Sequence, residues 1–90
     1  MVKEKQSPVH FAESTNVQMR ELVLYNDDFN TFDFVIETLM DVCEHSPEQA
    51  ETCTWIVHHK GKCAVKSGSY SELKPVYQEL INRTLTAKIE

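Results

Sequence analysis

An apolar, β-rich run ends abruptly in polar residues in the first third of this chain. Residues 21–25, ELVLY, have the composition of a central strand. Asn26, Asp27 and Asp28 follow directly, and their short side chains favour a turn because they bond their own backbone. The Asn-Thr pair at 30–31 can then cap a helix. The chain must therefore leave a sheet, turn within a few residues and enter a helix, with an amide and two carboxylates at the junction.

Apolar periodicity and capping signals predict three helices. The first helix runs to about Glu44 and carries an apolar stripe on one face. The second extends from a Ser46 cap to about Lys60 and ends at the glycine that follows. The third follows a capping box at residues 69–72 and runs to about Asn82.

Two further strands complete the pattern. Residues 62–66 form a short strand that closes in a turn at 67–69, and the alternating residues 84–89 form the last strand. Pro75 is expected near the first turn of the third helix, where its missing N–H breaks no ladder bond. The order β-α-α-β-α-β predicts an α+β domain with a small antiparallel sheet of about three strands, covered on one face by helices.

The length of the chain limits it to one folded unit, since 90 residues suffice for one hydrophobic core. Residues 1–19 mix polar, charged and proline residues without periodicity, so we expect a flexible N-terminal extension before a core domain at 20–90. No apolar run is long enough for a membrane helix, and the N-terminus does not resemble a signal peptide. We therefore expect a cytoplasmic protein without a membrane partner.

Charge and motif content exclude several classes of function. Residues 21–59 contain nine acidic residues and no Lys or Arg, whereas nucleic-acid binding needs clustered cations, so we expect no nucleic-acid partner. No nucleophile motif or glycine-rich phosphate loop is present, which argues against an enzyme and a cofactor. His58 and His59 point about 100° apart on a helix, and the three cysteines form no CxxC pair, so we expect no metal site.

Asn26, Asp27 and His58 offer the acceptors that a cationic amine requires. A carboxylate, an amide oxygen and an imidazole nitrogen can surround an ammonium group, the last only while the imidazole is neutral. Helical spacing places His58 at the rim of the core, beside apolar helix faces. The pattern predicts a site for a ligand with an amine at one end and an apolar body at the other.

Two segments of the sequence resemble signatures of one family. The run 22–35, LVLYNDDFNTFDFV, resembles the strand-NDD-turn-helix signature of the ClpS adaptors, and 57–62, VHHKGK, resembles their Val-His pair followed by Gly-Lys. The resemblance covers about residues 20–90, and the segment before them is similar to the variable N-terminal extension of the family. It implies a non-enzymatic, monomeric adaptor without a cofactor. Such adaptors bind N-degron substrates, which carry an N-terminal Phe, Leu, Tyr or Trp, and deliver them to a Clp-type AAA+ unfoldase working with ClpP.

The resemblance also implies roles for individual residues. Asn26, Asp27 and His58 would bind the α-amino group of the substrate, and Glu72 would contact the unfoldase. The side chain of the N-terminal residue would enter a pocket lined by Asp28, Asn30, Phe32, Val35, Thr54, Val57 and Leu85. Many members of the family carry Met at the positions of Phe32 and Thr54. The preference among N-terminal residues, including tolerance of Ile and Val, is therefore open.

Two alternative functions remain open on the sequence alone. An interaction module of the same small α/β fold, resembling the C-terminal domain of the ribosomal stalk protein, would bind partners through a helix face and ignore N-terminal residues. A small enzyme would use Asp27 and His58 as an acid–base pair. Binding of peptides with a free N-terminus tests the first alternative, and turnover of an amine-bearing substrate tests the second.

Overall fold

The computed structural model describes residues 18–90, so the predicted N-terminal extension at 1–19 lies almost wholly outside the described residues. The elements follow the predicted order β-α-α-β-α-β. They are strand β1 (Arg20–Tyr25), helix α1 (Phe32–Val42), helix α2 (Pro47–Lys60), strand β2 (Lys62–Gly68), helix α3 (Tyr70–Asn82) and strand β3 (Thr86–Ile89). The three strands form one antiparallel sheet in the order β2-β1-β3.

The core lies between the helices and one face of this sheet. Leu22 and Leu24, alternate residues of β1, point to that face and are 0% and 1% exposed. The helices contribute Leu39, Cys43, Ala50, Cys53, Val57, Leu73 and Leu80 to the same cluster. The prediction of an antiparallel sheet covered on one face by helices is thus confirmed. Within residues 18–90, no helix combines the length and the apolar character needed to cross a bilayer.

Side chains at the helix starts form the bonds that the sequence predicts. Thr31, Ser46 and Ser69 each precede a helix, and each hydroxyl accepts a backbone N–H from three residues further along, at 3.1, 3.1 and 3.2 Å. Gly61 ends α2 with a φ of 97°. Because these bonds link near neighbours in the chain, they form wherever the local sequence permits them.

Two element ends differ from the prediction because the chain turns through the left-handed region. Helix α1 ends at Val42 rather than near Glu44, and Glu44 has a φ of 60°. Strand β3 begins at Thr86 rather than at residue 84, because Thr84 has a φ of 68° and leaves the extended conformation. Neither residue type favours this backbone conformation, so the sequence carries no signal for it.

Strand β2 extends through Gly68, so the turn predicted at 67–69 is wrong. A bulge at Val65 adds one residue to β2 opposite β1, and Gly68 pairs with Arg20. A Cβ atom on Gly68 would lie 2.8 Å from Oε1 of Glu72. The glycine is therefore needed for the close approach of this carboxylate and not for a turn.

Pro75 lies inside α3 and not in its first turn, which corrects the prediction. Since the helix begins at Tyr70, Pro75 is its sixth residue, and its missing N–H removes the bond that the Ser71 carbonyl would accept. Ser71 is exposed, so its carbonyl can bond to water instead.

A buried histidine connects the α1–α2 segment to β2. His45 is 6% exposed, and its Nε2 atom lies 2.7 Å from the carbonyl oxygen of the bulged residue Val65. A carbonyl only accepts hydrogen bonds, so Nε2 carries a proton and donates it to this oxygen. Nδ1 has no hydrogen-bond partner among the described residues. His45 therefore satisfies a backbone group that the bulge removes from the sheet ladder.

The cysteines of the described chain are free thiols. Cys43 and Cys53 are buried in the core, and Cys63 on β2 is half-buried. Burial raises the pKa of Cys43 and of Cys53 to about 11. Both thiols are therefore protonated near neutral pH, as befits core residues rather than nucleophiles.

Replacing Glu44 with Gly should stabilise the protein. The left-handed conformation costs a non-glycine residue about 1–2 kcal/mol, and the greater chain entropy of unfolded Gly offsets about 0.5–1 kcal/mol of the relief. We expect urea denaturation to show a gain of about 0.5–1 kcal/mol in the free energy of unfolding. The control Glu44→Ala removes the charge but keeps a Cβ atom. An equal gain from Ala would show that the carboxylate at the helix end, and not the backbone, is responsible.

Candidate functional site

A pocket of about 290 Å³ opens where the end of β1 meets α1 and α2. It brings together all ten residues that the sequence analysis assigned to the amine site and the side-chain pocket, and their roles in binding remain predictions. Its lining consists of Leu24, Tyr25, Asn26, Asp27, Asp28, Asn30, Phe32, Val35, Thr54, Val57, His58 and Leu85. Small-molecule pockets measure about 300–1,000 Å³, so this volume suits one side chain rather than a large cofactor.

Helical spacing aligns the walls of the pocket. Phe32 and Val35 lie three residues apart on α1, and Thr54, Val57 and His58 occupy positions i, i+3 and i+4 on α2. Thr54 and Val57 are buried, whereas His58 is exposed. The pocket therefore has apolar walls inside and an imidazole at its solvent side, as the rim position of His58 in the sequence predicts.

The carboxylate of Asp27 organises the turn after β1. Its Oδ1 accepts the backbone N–H groups of Phe29 and Asn30, both at 2.8 Å, and its Oδ2 accepts the side-chain amide of Asn30 at 3.0 Å. Partial burial acts to raise the pKa of Asp27, but the bonds from Asn30 and Phe29 outweigh it, and the pKa is lowered from its usual value. The site thus holds an ionised carboxylate at neutral pH.

Unused acceptors surround the mouth of the pocket. A carboxylate has about four acceptor positions, so Asp27 keeps about one for a ligand after its three internal bonds. The backbone N–H of Asn26 donates to the Gly61 carbonyl at 2.9 Å, which holds the end of α2, and with it His58, beside the turn. Asp28 adds a second carboxylate, and the lining contains no Lys or Arg. The arrangement favours a cationic group at the rim.

Aromatic rings join the two helices beside the pocket. Phe32 makes edge contacts with Trp55 and His58, with ring centroids 5.7 and 6.4 Å apart. Trp55 stacks on His59 at 4.3 Å, on the outer face of α2. These contacts restrict Phe32, since edge-to-face pairs have defined geometry. The position of Phe32 in the pocket wall therefore depends in part on Trp55 and His59, which do not line the pocket themselves.

Leu24 and Tyr25 line the pocket without having been predicted to do so. Tyr25 directly precedes the predicted amine residue Asn26, and this adjacency was the available signal. Strand alternation would not have found Leu24, because alternation assigns it only to the core face, where it is almost fully buried.

Glu72 lies outside the pocket lining. Its carboxylate accepts the backbone N–H of Ser69 at 2.8 Å in a capping box, and these bonds from Ser69 lower the pKa of Glu72. The side chain thus stabilises the start of α3, and its contact with an unfoldase remains a prediction. Across residues 18–90, no group of three or more His, Cys, Asp or Glu side chains is placed to hold a metal ion.

Acidification should destabilise the native protein more than the Asp27→Asn variant. Because the pKa of Asp27 is lower in the folded protein, the ionised carboxylate stabilises the fold above its unfolded pKa of about 3.9. This contribution is lost as the pH falls through the lowered folded pKa. We expect urea denaturation between about pH 6 and pH 2.5 to show that the free energy of unfolding falls more steeply with decreasing pH for the native chain than for Asp27→Asn. Parallel losses would mean that the bonds to Asp27 do not stabilise the fold.

Comparisons with known proteins agree on one family. The family model "ATP-dependent Clp protease adaptor protein ClpS" matches residues 15–88. The ClpS adapter protein of Campylobacter jejuni is 35% identical over an alignment of 79 residues that covers 81% of this chain and 82% of that protein. The ClpS adapter protein of Nitratidesulfovibrio vulgaris is 34% identical over an alignment of 59 residues that covers 63% of this chain and 59% of that protein.

A solved structure shares the fold. ClpS2 of Agrobacterium tumefaciens, bound to L-phenylalaninamide, superimposes with a TM-score of 0.71 at 18% identity and covers 83% of this chain and 98% of that one. The family match spans the turn at 26–28, the Val-His pair at 57–58 and all six elements except the last residue of β3. The resemblance seen in the sequence is thereby confirmed, and the chain belongs to the ClpS family, the adaptors of the ATP-dependent Clp protease.

Proposed function

We propose that this protein binds N-degron substrates by the free α-amine and the bulky apolar side chain of their N-terminal residue, and delivers them to a Clp-type AAA+ unfoldase working with ClpP. One observation carries the proposal. An acceptor-rich rim without Lys or Arg adjoins an apolar pocket of about 290 Å³. The related ClpS2 of Agrobacterium tumefaciens binds L-phenylalaninamide, a ligand that combines a free α-amine with a phenyl group.

Three side chains at the rim would bind the α-amine. An α-amino group has a pKa of about 8, so it is mostly an ammonium at neutral pH and needs three acceptors. Asp27 supplies the negative charge, Asn26 an amide oxygen and His58 a ring nitrogen while neutral. An acetylated N-terminus has no charge and only one N–H, so it loses most of these interactions.

The side chain of the N-terminal residue would enter between α1, α2 and the segment before β3. Burying a Phe side chain removes about 150–250 Å² of apolar surface, or about 4–6 kcal/mol. Two or three charge-assisted hydrogen bonds add about 1.5–3 kcal/mol each, and association costs at least about 4 kcal/mol. The balance is about 3–11 kcal/mol, a range that includes the roughly 8 kcal/mol of a micromolar Kd. Such an affinity suits a carrier that must release its substrate.

Thr54 gives the pocket wall a different character from a long apolar side chain. Its hydroxyl donates to the Ala50 carbonyl at 2.7 Å, so it leaves no unpaired donor facing an apolar ligand. Together with the bulky Phe32, this small residue decides the preference among Phe, Leu, Tyr, Trp and the β-branched residues. Residues 1–19 and Glu72 would engage the unfoldase during delivery.

Fluorescence anisotropy with labelled decapeptides tests the binding step. The peptides differ only at residue one (Phe, Leu, Tyr, Trp, Ile, Met or Ala), and N-acetyl-Phe is the control for the amine. We expect micromolar or tighter binding of the Phe or Leu peptide and its loss on acetylation. If no peptide with a free N-terminus binds, the proposed binding step is wrong. The protein would then be an interaction module that has the ClpS fold but binds its partners in another way.

A degradation assay tests delivery separately from binding. A Phe-initiated substrate is incubated with ClpP and a Clp unfoldase, with and without the adaptor. We expect the adaptor to accelerate degradation of this substrate and to leave an otherwise identical Ala-initiated substrate unaffected. Peptide binding without acceleration would restrict the function to substrate capture.

A further inference from the structure

One side-chain amide joins two parts of the pocket that are 54 residues apart in the chain. The Nδ2 atom of Asn30 donates to Oδ2 of Asp27 at 3.0 Å and to the carbonyl oxygen of Thr84 at 2.9 Å. The hydroxyl of Thr84 lies 3.4 Å from Oδ1 of Asn30. Both amide protons are therefore used in linking the turn after β1 to the segment before β3.

The partner residue Thr84 has an unfavourable backbone conformation. Its φ is 68°, in the left-handed region, which a β-branched residue rarely adopts and which persists only where surrounding contacts impose it. Its N–H donates to the Ile81 carbonyl at 2.9 Å, and the N–H of Leu85 donates to the Leu80 carbonyl at 3.0 Å. These two bonds hold the amide side of the turn, and Asn30 holds its carbonyl side.

The next residue, Leu85, forms a wall of the pocket and is 4% exposed. Among the pocket residues in the described part of the chain, it alone comes from the segment after α2. Its position relative to the amine site therefore depends on the Thr84 turn. The bonds of Asn30 are the side-chain link from that turn to Asp27.

We propose that Asn30 is a positioning residue that fixes the Leu85 wall relative to the amine site, and through it sets the affinity for a large N-terminal side chain. The inference rests on the proposed function and assigns Asn30 an action through Leu85, in addition to lining the pocket. Removing the amide leaves the Thr84 carbonyl and one Asp27 oxygen without a donor. The strained turn can then relax, and the wall is no longer held.

A double-mutant cycle separates this role from a local effect on the amine site. The Kd of the Phe-initiated decapeptide is measured for the native protein, Asn30→Ala, Leu85→Ala and the double variant. We expect Asn30→Ala to weaken binding about tenfold, or about 1.4 kcal/mol, in the native background. In the Leu85→Ala background the wall is already absent, so adding Asn30→Ala should raise the Kd by less than about twofold.

Two results overturn the proposal while leaving the proposed function intact. An equal loss in both backgrounds would mean that Asn30 acts through Asp27 or by touching the ligand itself, and not through Leu85. No loss in the native background would mean that the link has no effect on binding. Failure of the native protein to bind any free N-terminus would instead contradict the proposed function, and this inference with it. Since Leu85→Ala removes a buried side chain, Leu85→Val replaces it in the cycle if the first variant does not fold, and Asn30→Ala should then weaken binding less in the Val background than in the native one.

Hydrogen exchange provides a second readout and a matched control. In Asn30→Ala, the amides of Thr84 and Leu85 should exchange at least about tenfold faster, while those in the middle of α2 should keep their rates. Thr84→Gly keeps the backbone carbonyl that Asn30 bonds and relieves the strained φ. It should bind the Phe peptide within about twofold of the native Kd. Unchanged exchange of both amides in Asn30→Ala would contradict the proposed link.

Discussion

The Asp27→Ala variant is expected to bind a Phe-initiated peptide at least about 100-fold more weakly than the native protein. This factor corresponds to about 2.8 kcal/mol, within the about 2–5 kcal/mol that follows removal of one partner of a close charge pair. The substitution removes the negative charge that would face the α-amine. It also removes the acceptor that holds the N–H groups of Phe29 and Asn30 at 2.8 Å, so the turn itself loses its order.

Two further variants identify the cause of that loss. Asp27→Asn keeps an oxygen for the turn but not the charge, so it should bind more tightly than Asp27→Ala and more weakly than the native protein. Asp33→Ala removes an exposed carboxylate from the first turn of α1, outside the pocket, and should bind within about twofold of native. Native-like affinity of a folded Asp27→Ala variant, with an unchanged circular dichroism spectrum, would refute the assigned role.

The His45→Ala variant should lose about 3–4 kcal/mol of its free energy of unfolding. Removing a ring that is 6% exposed leaves a cavity, and such truncations cost about 2–5 kcal/mol. The Val65 carbonyl also loses its donor at 2.7 Å, and an unsatisfied buried acceptor costs about 1–3 kcal/mol when the bulge cannot relax toward water. Urea denaturation at neutral pH measures the change.

His45→Gln is the matched control for the hydrogen bond. Its side-chain amide can place an N–H close to the position of Nε2, so this variant should lose at least about 1 kcal/mol less than His45→Ala. Since His45 does not line the pocket, the folded fraction of each variant should bind the Phe peptide with native affinity. Equal destabilisation by Ala and Gln would show that the bond to Val65 contributes nothing and that packing alone explains the loss.

Local chemistry made most of the element order predictable. The run at 21–25, the Thr31, Ser46 and Ser69 caps and the stop at Gly61 each depend on bonds or periodicity within a few residues. The ends that differ are those of β2, which continues through Gly68, and those at Glu44 and Thr84, where left-handed backbone occurs without glycine. Such conformations depend on contacts from elsewhere in the fold, so residue type gives no sign of them.

The candidate site was predictable for a different reason. Asn26, Asp27 and His58 stood out because the acceptors for an amine cluster at two junctions, and the resemblance to ClpS supplied the other seven predicted lining residues. The structure brings all ten of them to one pocket. It also shows the bonds by which Asp27 orders its own turn, as its residue type suggests, and one contact that no local pattern indicates, from Asn30 to the Thr84 carbonyl.

The strand-turn-helix junction, the helix starts and the family signatures depend on residues close together in the chain, so they could be predicted from the sequence. The bulge at Val65, its bond to the buried His45 and the link from Asn30 to Thr84 follow instead from the way the sheet and the helices pack together. The two bonds join residues 20 and 54 positions apart, and each satisfies a backbone carbonyl outside the regular ladders. Which carbonyls need a partner is settled only when the sheet and helices have packed, since packing removes the water that would otherwise bond them.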